Sequence, residues 1–167
     1  MVKVTSYLGI GSNLGDRAKN IQGSIKYLNS IPRIEVKEKS LLYETPACGG
    51  PKTQPKYLNA TIKIRTSLSP FDLLRELKRI EFKLKRKKFA LWGPRTIDLD
   101  ILFYDDLILA SDEFSIPHSL LHRRIFVLKP LADIAPNVMH PLYKKTIRDL
   151  LKKLYSKDEK IISFNKR

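Results

Sequence analysis

Residues 92 to 102 read Trp-Gly-Pro-Arg-Thr-Ile-Asp-Leu-Asp-Ile-Leu, so two aspartates, Asp98 and Asp100, stand one leucine apart inside an apolar run. Side chains alternate across an extended strand, and residues two apart leave one face about 7 Å from each other. On that pattern Thr96, Asp98, Asp100 and Leu102 share a face, and Ile97, Leu99, Ile101 and Phe103 share the other. Two ionised carboxylates this close to a core are costly unless cations neutralise them. Magnesium suits such a pair, because it takes oxygen ligands, keeps waters, and is held by one or two carboxylates together with substrate phosphates. Zinc is disfavoured, since neither a cysteine cluster nor an HExxH run occurs. The alternative is that both acids pair with lysines at an exposed end of a sheet.

Arg95 stands just before the run, after a Gly-Pro turn that limits backbone freedom. Its guanidinium suits phosphate by charge and by its bidentate fork. A metal pair and an arginine together point to phosphoryl transfer, which consists mainly of positioning and charge neutralisation at the transferred group. No G-x-x-x-x-G-K-[ST] is present, which excludes a P-loop enzyme. Gly9, Gly11 and Gly15 do not make G-x-G-x-x-G either, and read first as turn chemistry before a helix capped by Asp16, with nucleotide contact as the alternative.

The elements that must carry these residues follow from periodicity. Val2 to Ile10 reads as a strand, followed by a Gly-rich turn and a helix from Asp16 to Asn29 that Pro32 stops. Ile34 to Tyr43 and Tyr57 to Thr66 read as strands, the latter with Leu58, Ala60, Ile62 and Ile64 alternating against Tyr57, Asn59, Thr61, Lys63 and Arg65. The proline- and glycine-rich stretch between them is a loop of the kind that carries function. Ser69-Pro70-Phe71-Asp72 opens a helix to Lys88, with Leu73, Leu74, Leu77, Ile80 and Leu84 as its apolar stripe and Glu81 at the stripe's margin. Thr96 to Tyr104 is the fourth strand. A short strand at 114–116, an apolar segment at 125–131 and a helix at 146–155 complete the chain. Strand, helix, strand, strand, helix, strand is the order of the ferredoxin-like split βαβ fold, an α+β antiparallel sheet with helices on one side.

At 167 residues, 43% of them hydrophobic, the chain is the size of a single domain over 1–167. No stretch has the roughly 18 uninterrupted apolar residues of a membrane span, and the N-terminus lacks a signal-peptide pattern. Cys48 is the only cysteine, so no internal disulfide forms, and a cytoplasmic location is expected. The net charge of +15, from 32 Lys+Arg against 17 Asp+Glu, favours a phosphate-bearing partner, nucleotide or nucleic acid. Much of the excess is lysine on helical faces at 83–88 and 152–160, which read as solvated.

Taken together, G-S-N-L-G-D-R, Y-E-T-P followed by Q-P-K-Y-L-N-A, R-I-E, W-G-P-R-T-I-D-L-D-I-L, I-P-H and R-R-I-F-V-L-K-P-L make the chain similar to the 6-hydroxymethyl-7,8-dihydropterin pyrophosphokinases, a folate-pathway family. The resemblance runs through nearly the whole chain. It implies a ferredoxin-like fold and transfer of the β,γ-diphosphate of ATP to the pterin's hydroxymethyl oxygen, with release of AMP. It makes Asp98 and Asp100 ligands of two magnesium ions, and Arg95, Ser115, His118 and Arg124 contacts of ATP. Arg86 matches a catalytic arginine on a mobile loop, and Arg95 shares the catalytic role. Thr45, Pro46, Cys48, Tyr57, Asn59, Trp92 and Phe126 match the pterin pocket, with Trp92 and Phe126 flanking the ring. Asn59 is read as offering the pterin both a donor and an acceptor. The implied enzyme is a cytoplasmic monomer that acts on small molecules, with no nucleic acid or membrane partner.

The chain departs from the family at a few positions. Cys48 and Ser119 stand where bulkier residues are usual, Lys85 replaces a glycine before Arg86, and Leu91 replaces a charged residue before Trp92. These changes leave Lys88 as a second candidate for the role given to Arg86. His122 and His140 read as surface or packing residues. An RNA-binding sheet is disfavoured, because no ribonucleoprotein aromatic run is present and acids at 98 and 100 would repel the backbone. A polymerase-type nucleotidyltransferase is excluded by spacing, since Gly11-Ser12 lies far upstream of the aspartates.

Overall fold

Nine residues of small and apolar character, V-T-S-Y-L-G-I-G-S, form the first strand, β1 (Val4–Ser12), in the computed structural model, which describes residues 2–49, 53–84, 93–155 and 162–164. β1 begins and ends two residues later than its pattern predicts. Gly9 and Gly11 therefore lie inside the strand and not in a turn. Of the three glycines only Gly15 adopts the left-handed backbone, φ +67°, that a turn requires. Helix α1 (Arg17–Asn29) starts where expected, with the Lys19 N–H donating to the carboxylate of Asp16 at 3.0 Å.

The expected strand from Ile34 to Tyr43 is split into β2 (Ile34–Lys39) and β3 (Leu42–Thr45). Both pair with β4 (Tyr57–Thr66). At the break the Ser40 hydroxyl accepts the Thr61 N–H at 2.8 Å, while the Ser40 N–H donates to the Thr61 carbonyl at 2.9 Å. A side-chain oxygen thus replaces a strand carbonyl, and the ladder survives the bend. Helix α2 (Pro70–Lys83) is capped by the Ser69 hydroxyl, which accepts the Asp72 N–H at 3.1 Å, and it buries Leu73, Leu77 and Ile80. It ends at Lys83 with Leu84 as a non-helical C-cap, short of the expected Lys88, and residues 85–88 lie outside the described residues.

Strand β5 (Asp98–Tyr104) pairs with β1, giving the sheet order β5-β1-β4-β3 with β2 beside β4, every pairing antiparallel. This is the ferredoxin-like order read from the sequence. Beyond it lie the hairpin β6 (Leu109–Ala110) and β7 (Ser115–Ile116), then α3 (Ile125–Ile134) and α4 (Ile147–Tyr155). Strand β8 (Ile162–Phe164) joins the outer side of β3.

Helices cover both faces of the sheet, contrary to the one-sided expectation. On one face Leu8, Ile10, Ile62, Ile64 and Leu99 pack with Ile21, Leu28, Leu73 and Leu77 of α1 and α2. On the other, Tyr7, Leu102 and Phe103 pack with Leu128 and Leu131 of α3 and with Ile147, Leu150 and Leu151 of α4. Phe103 departs from the expected alternation because the β1/β5 register slips between Tyr7 and Leu8. Tyr7 faces Phe103 and Leu8 faces Ile101, so Leu102 is an extra residue. A bulge of this kind turns two successive side chains to the same face.

His140 completes the second core. It is 1% exposed, its ring stands edge-on to Phe103 at 5.6 Å, and Nδ1 accepts the N–H groups of Leu142 and Tyr143 at 3.3 and 3.4 Å. An accepting Nδ1 requires the neutral ring, and burial, with His122 nearby, pushes the pKa down to about 4. A folded pKa below the ordinary 6.5 means the unfolded chain takes up the proton first. The stabilisation is complete above pH 6.5 and is lost as pH falls toward 4, by about 3 kcal/mol in all. Thermal melts between pH 7 and 4 are therefore expected to fall less steeply for His140→Gln than for the native chain, and parallel slopes would refute this account.

Candidate active site

Beside the first turn of α3, the second sheet face opens into a cavity of about 340 Å³, within the usual range for a small-molecule site. Its floor is the β1 stretch holding Gly9 and Gly11. Gly11 lies opposite Asn59 on one side and Asp98 on the other, and Gly9 opposite Thr61 and Asp100. A Cβ at Gly11 would come within 3.5 Å of Asn59 Oδ1 and the Tyr57 ring, and one at Gly9 within 3.3 Å of Leu102. Without side chains at these two positions, the space between the aspartates of β5 and the polar residues of β4 stays open.

Asp98 and Asp100 both line this cavity, as period-two alternation requires. Arg95 reaches Asp98 through Nη1, at 2.9 and 3.2 Å from its two oxygens. Burial works against the Arg95 cation, but Asp98, with Tyr57 and Asp100 behind it, more than offsets that, and the pKa is raised. Among the described residues Asp98 is ion-paired with Arg95, not with a lysine as in the alternative reading. Among the described residues no cluster of three or more His, Cys, Asp or Glu gathers that could hold a metal. A pair of carboxylates with no nitrogen or sulfur ligand suits magnesium, whose remaining positions go to water and phosphate oxygens.

The opposite wall comes from the segment before and at the start of α3: His118, Arg124, Phe126 and Val127. The His118 N–H donates to the Leu102 carbonyl at 3.1 Å, which ties this wall to β5. Burial lowers the His118 pKa and Arg124 adds to that, outweighing the opposing pull of Asp100. The ring is thus neutral near pH 7, a hydrogen-bonding group and not a fixed charge. Arg124 lies 5.7 Å from the centre of the Phe126 ring. Ser115, expected with these residues, sits in β7 away from the cavity lining, and its hydroxyl donates to the Pro117 carbonyl at 3.3 Å.

Thr45, Pro46, Cys48, Tyr57 and Asn59 also line the cavity. Asn59 is not the two-way group read from its amide. Its Nδ2 donates to Thr45 Oγ1 at 2.9 Å and to the Tyr43 carbonyl at 3.4 Å. Both amide hydrogens are thereby engaged, and Asn59 presents an acceptor to the cavity. Thr45 Oγ1, accepting from Asn59, is left to donate. Arg86 and Trp92 lie outside the described residues.

Four side chains that sequence reasoning did not assign to the site, Ser12, Asn13, Asn20 and Glu81, hold it in shape. The Arg95 N–H donates to Asn13 Oδ1 at 2.8 Å, and Asn13 Nδ2 donates to the Pro55 carbonyl at 3.1 Å. Ser12 Oγ donates to the Thr96 carbonyl at 2.6 Å, supported by Asn20 Nδ2 at 3.1 Å. The Gly-Ser-Asn stretch therefore fixes the backbone of Arg95 and Thr96. Glu81, 2% exposed, accepts the Leu99 N–H at 2.9 Å. β5 is an edge strand of the sheet, so this N–H, midway between the two aspartates, has no strand to pair with, and a helix side chain takes it. Glu81's place beside the apolar stripe of α2, and its position in the R-I-E motif, hinted at this.

Residues 7–136 match the family model described as 7,8-dihydro-6-hydroxymethylpterin-pyrophosphokinase. The chain is 41% identical over 145 residues to the 2-amino-4-hydroxy-6-hydroxymethyldihydropteridine pyrophosphokinase of Aquifex aeolicus, spanning 87% of this chain and 89% of that protein. The Haemophilus influenzae protein of the same name is 37% identical over 97% of this chain and 99% of its own length. Among solved structures, an HPPK-DHPS in complex with substrates superposes with a TM-score of 0.76 at 16% identity, over 93% of this chain. A Plasmodium falciparum HPPK-DHPS with pteroate gives 0.74 at 18%. At that identity the likeness is one of fold, and this chain spans 44% of the length of each of those two chains.

Proposed function

The chain belongs to the 7,8-dihydro-6-hydroxymethylpterin-pyrophosphokinase family, and we propose that its glycine-floored cavity is where the family's reaction takes place. Its activity is pyrophosphokinase activity on hydroxymethyldihydropterin, in folate biosynthesis. The donor on our reading is ATP, which gives up its β,γ-diphosphate to the hydroxymethyl oxygen and leaves as AMP. The pterin lies against Thr45, Asn59, Tyr57 and Phe126, with Pro46 and Cys48 at the rim. The triphosphate lies toward Arg95, His118 and Arg124.

The observation that carries this reading is the placement of Asp98 and Asp100 across Gly11 and Gly9 from Asn59 and Thr61 in one cavity. On this reading β5 supplies the phosphate-binding side and β4 the heterocycle-binding side of one cavity, with the two glycines of β1 between them. Asp98 and Asp100 would hold two magnesium ions. Such ions would supply charge neutralisation at the phosphate oxygens and polarisation of the phosphoryl group. Arg95, anchored by Asn13, holds phosphate with little side-chain entropy left to lose. His118 and Arg124 orient the nucleotide from the opposite wall, with Ser115 of β7 as a further contact beyond the cavity lining. Arg86 supplies a further cation to the developing charge, and Trp92 flanks the ring opposite Phe126.

We further place the enzyme in the cytoplasm, as a monomer that takes no nucleic acid. Cys48 is free, as thiols are in a reducing compartment. No helix among the described residues is long and apolar enough to cross a membrane. The deciding assay incubates the protein with ATP, magnesium and hydroxymethyldihydropterin and separates the nucleotides. AMP that accumulates only with the pterin present is expected; formation of ADP, or no nucleotide consumption, would refute the proposal.

A further inference from the structure

Thr61 lines the cavity, is fully buried, and carries the only buried side-chain polar atom among the described residues without a hydrogen-bond partner, its hydroxyl Oγ1. It follows Tyr57 and Asn59 on the same face of β4 and sits opposite Gly9 in the ladder. Its backbone is already satisfied, because both the N–H and the carbonyl are bonded to Ser40. Leu102 and Val127, which share the cavity wall with it, offer no side-chain polar atom.

A buried hydroxyl left unpaired destabilises the fold, and valine has the same branched shape without that penalty and favours strands at least as well. Sheet structure alone therefore gives no reason for an oxygen at this position. The neighbouring groups show what kind of partner it meets. Asn59 presents an acceptor and Thr45 a donor to the same cavity, so a flat molecule with alternating donors and acceptors along its edge is already provided for. A hydroxyl both donates and accepts, and it extends this row along β4.

We infer that the Thr61 hydroxyl hydrogen-bonds the polar edge of the bound pterin and is a specificity-determining contact of this enzyme. The inference rests on the reading that this cavity takes the pterin. A site built to hydrogen-bond its substrate discriminates against analogues that lack the matching group. Thr61 acts in binding and not on the transferred phosphate, so its loss is expected in the affinity for the pterin and not in turnover at saturation.

The test compares wild type, Thr61→Val and Thr61→Ser by calorimetric titration with hydroxymethyldihydropterin, by steady-state kinetics and by thermal melting. Thr61→Val is expected to raise the pterin Kd and KM by about tenfold, with kcat within about twofold and the KM for ATP unchanged. In the same variant the ligand-free protein melts about 2–4 °C higher, because the unpaired oxygen is gone. Thr61→Ser keeps the oxygen and binds within about threefold of wild type. This combination, a more stable protein that binds its substrate less well, is not what a purely structural threonine gives. Pterin affinity unchanged in Thr61→Val, with the native chain binding normally, overturns the inference alone and assigns the hydroxyl to a resident water. A native chain that binds no pterin overturns the reading of the cavity and this inference with it.

Discussion

Replacing Asp100 by alanine is expected to lower turnover by about three powers of ten, the equivalent of several kcal/mol of lost charge stabilisation at the transferred group. The fold should hardly notice. Asp100 is exposed, while its neighbours Leu99 and Ile101 pack into the core on the far face of β5. A surface change of this kind shifts stability by about 0.5 kcal/mol at most, so the melting temperature should move by no more than about 2 °C. Asp98→Ala should lose turnover to a similar extent, but with a further effect on Arg95, whose guanidinium is held by the Asp98 carboxylate. Calorimetry with magnesium and a non-hydrolysable ATP analogue separates metal capture from general loss of structure. Turnover within about tenfold of wild type in a folded Asp100→Ala protein would remove the metal role from this pair.

Replacing Phe103 by alanine should do the reverse, with a large loss of stability. Phe103 is 1% exposed, stands edge-on to Tyr7 at 6.4 Å and to His140 at 5.6 Å, and joins the sheet to α3 and α4. Removing a buried phenyl ring costs about 3–5 kcal/mol, which lowers the melting temperature of a chain this size by about 10 °C or more. A double-mutant cycle tells which core the ring occupies. Phe103→Ala with Leu128→Ala should show a coupling of about 1 kcal/mol, whereas Phe103→Ala with Leu77→Ala, on the other side of the sheet, should be additive. Coupling to Leu77 instead would mean that the strand alternates without a bulge. Because the His118 N–H is bonded to the Leu102 carbonyl, the variant should also bind ATP more weakly.

The sequence alone was enough to place the aspartate pair on one face of a strand, because period-two alternation is local and needs no partner. It also fixed both helix starts, since Asp16 and Ser69 bond to N–H groups three residues on. The order of strands and helices limited the sheet to one short-connected arrangement. The family motifs, spread along the chain in order, supplied the reaction.

Tertiary structure decided what depends on residues far apart. Whether an amide is free to meet a ligand depends on its distant partners, and Asn59 spends its hydrogens on Tyr43 and Thr45. Gly9 and Gly11 proved to be a cavity floor because β4 and β5 flank them, which no local turn rule could reveal. The bulge at Leu102 reversed Phe103 because α3 and α4 supply a second apolar layer for it. Asn13 found Arg95 across 82 residues, and Glu81 found Leu99 across 18. Periodicity reports which way a side chain leaves its own backbone. What meets it there is set by packing, in which the free energy of each group depends on neighbours that the chain brings together only on folding.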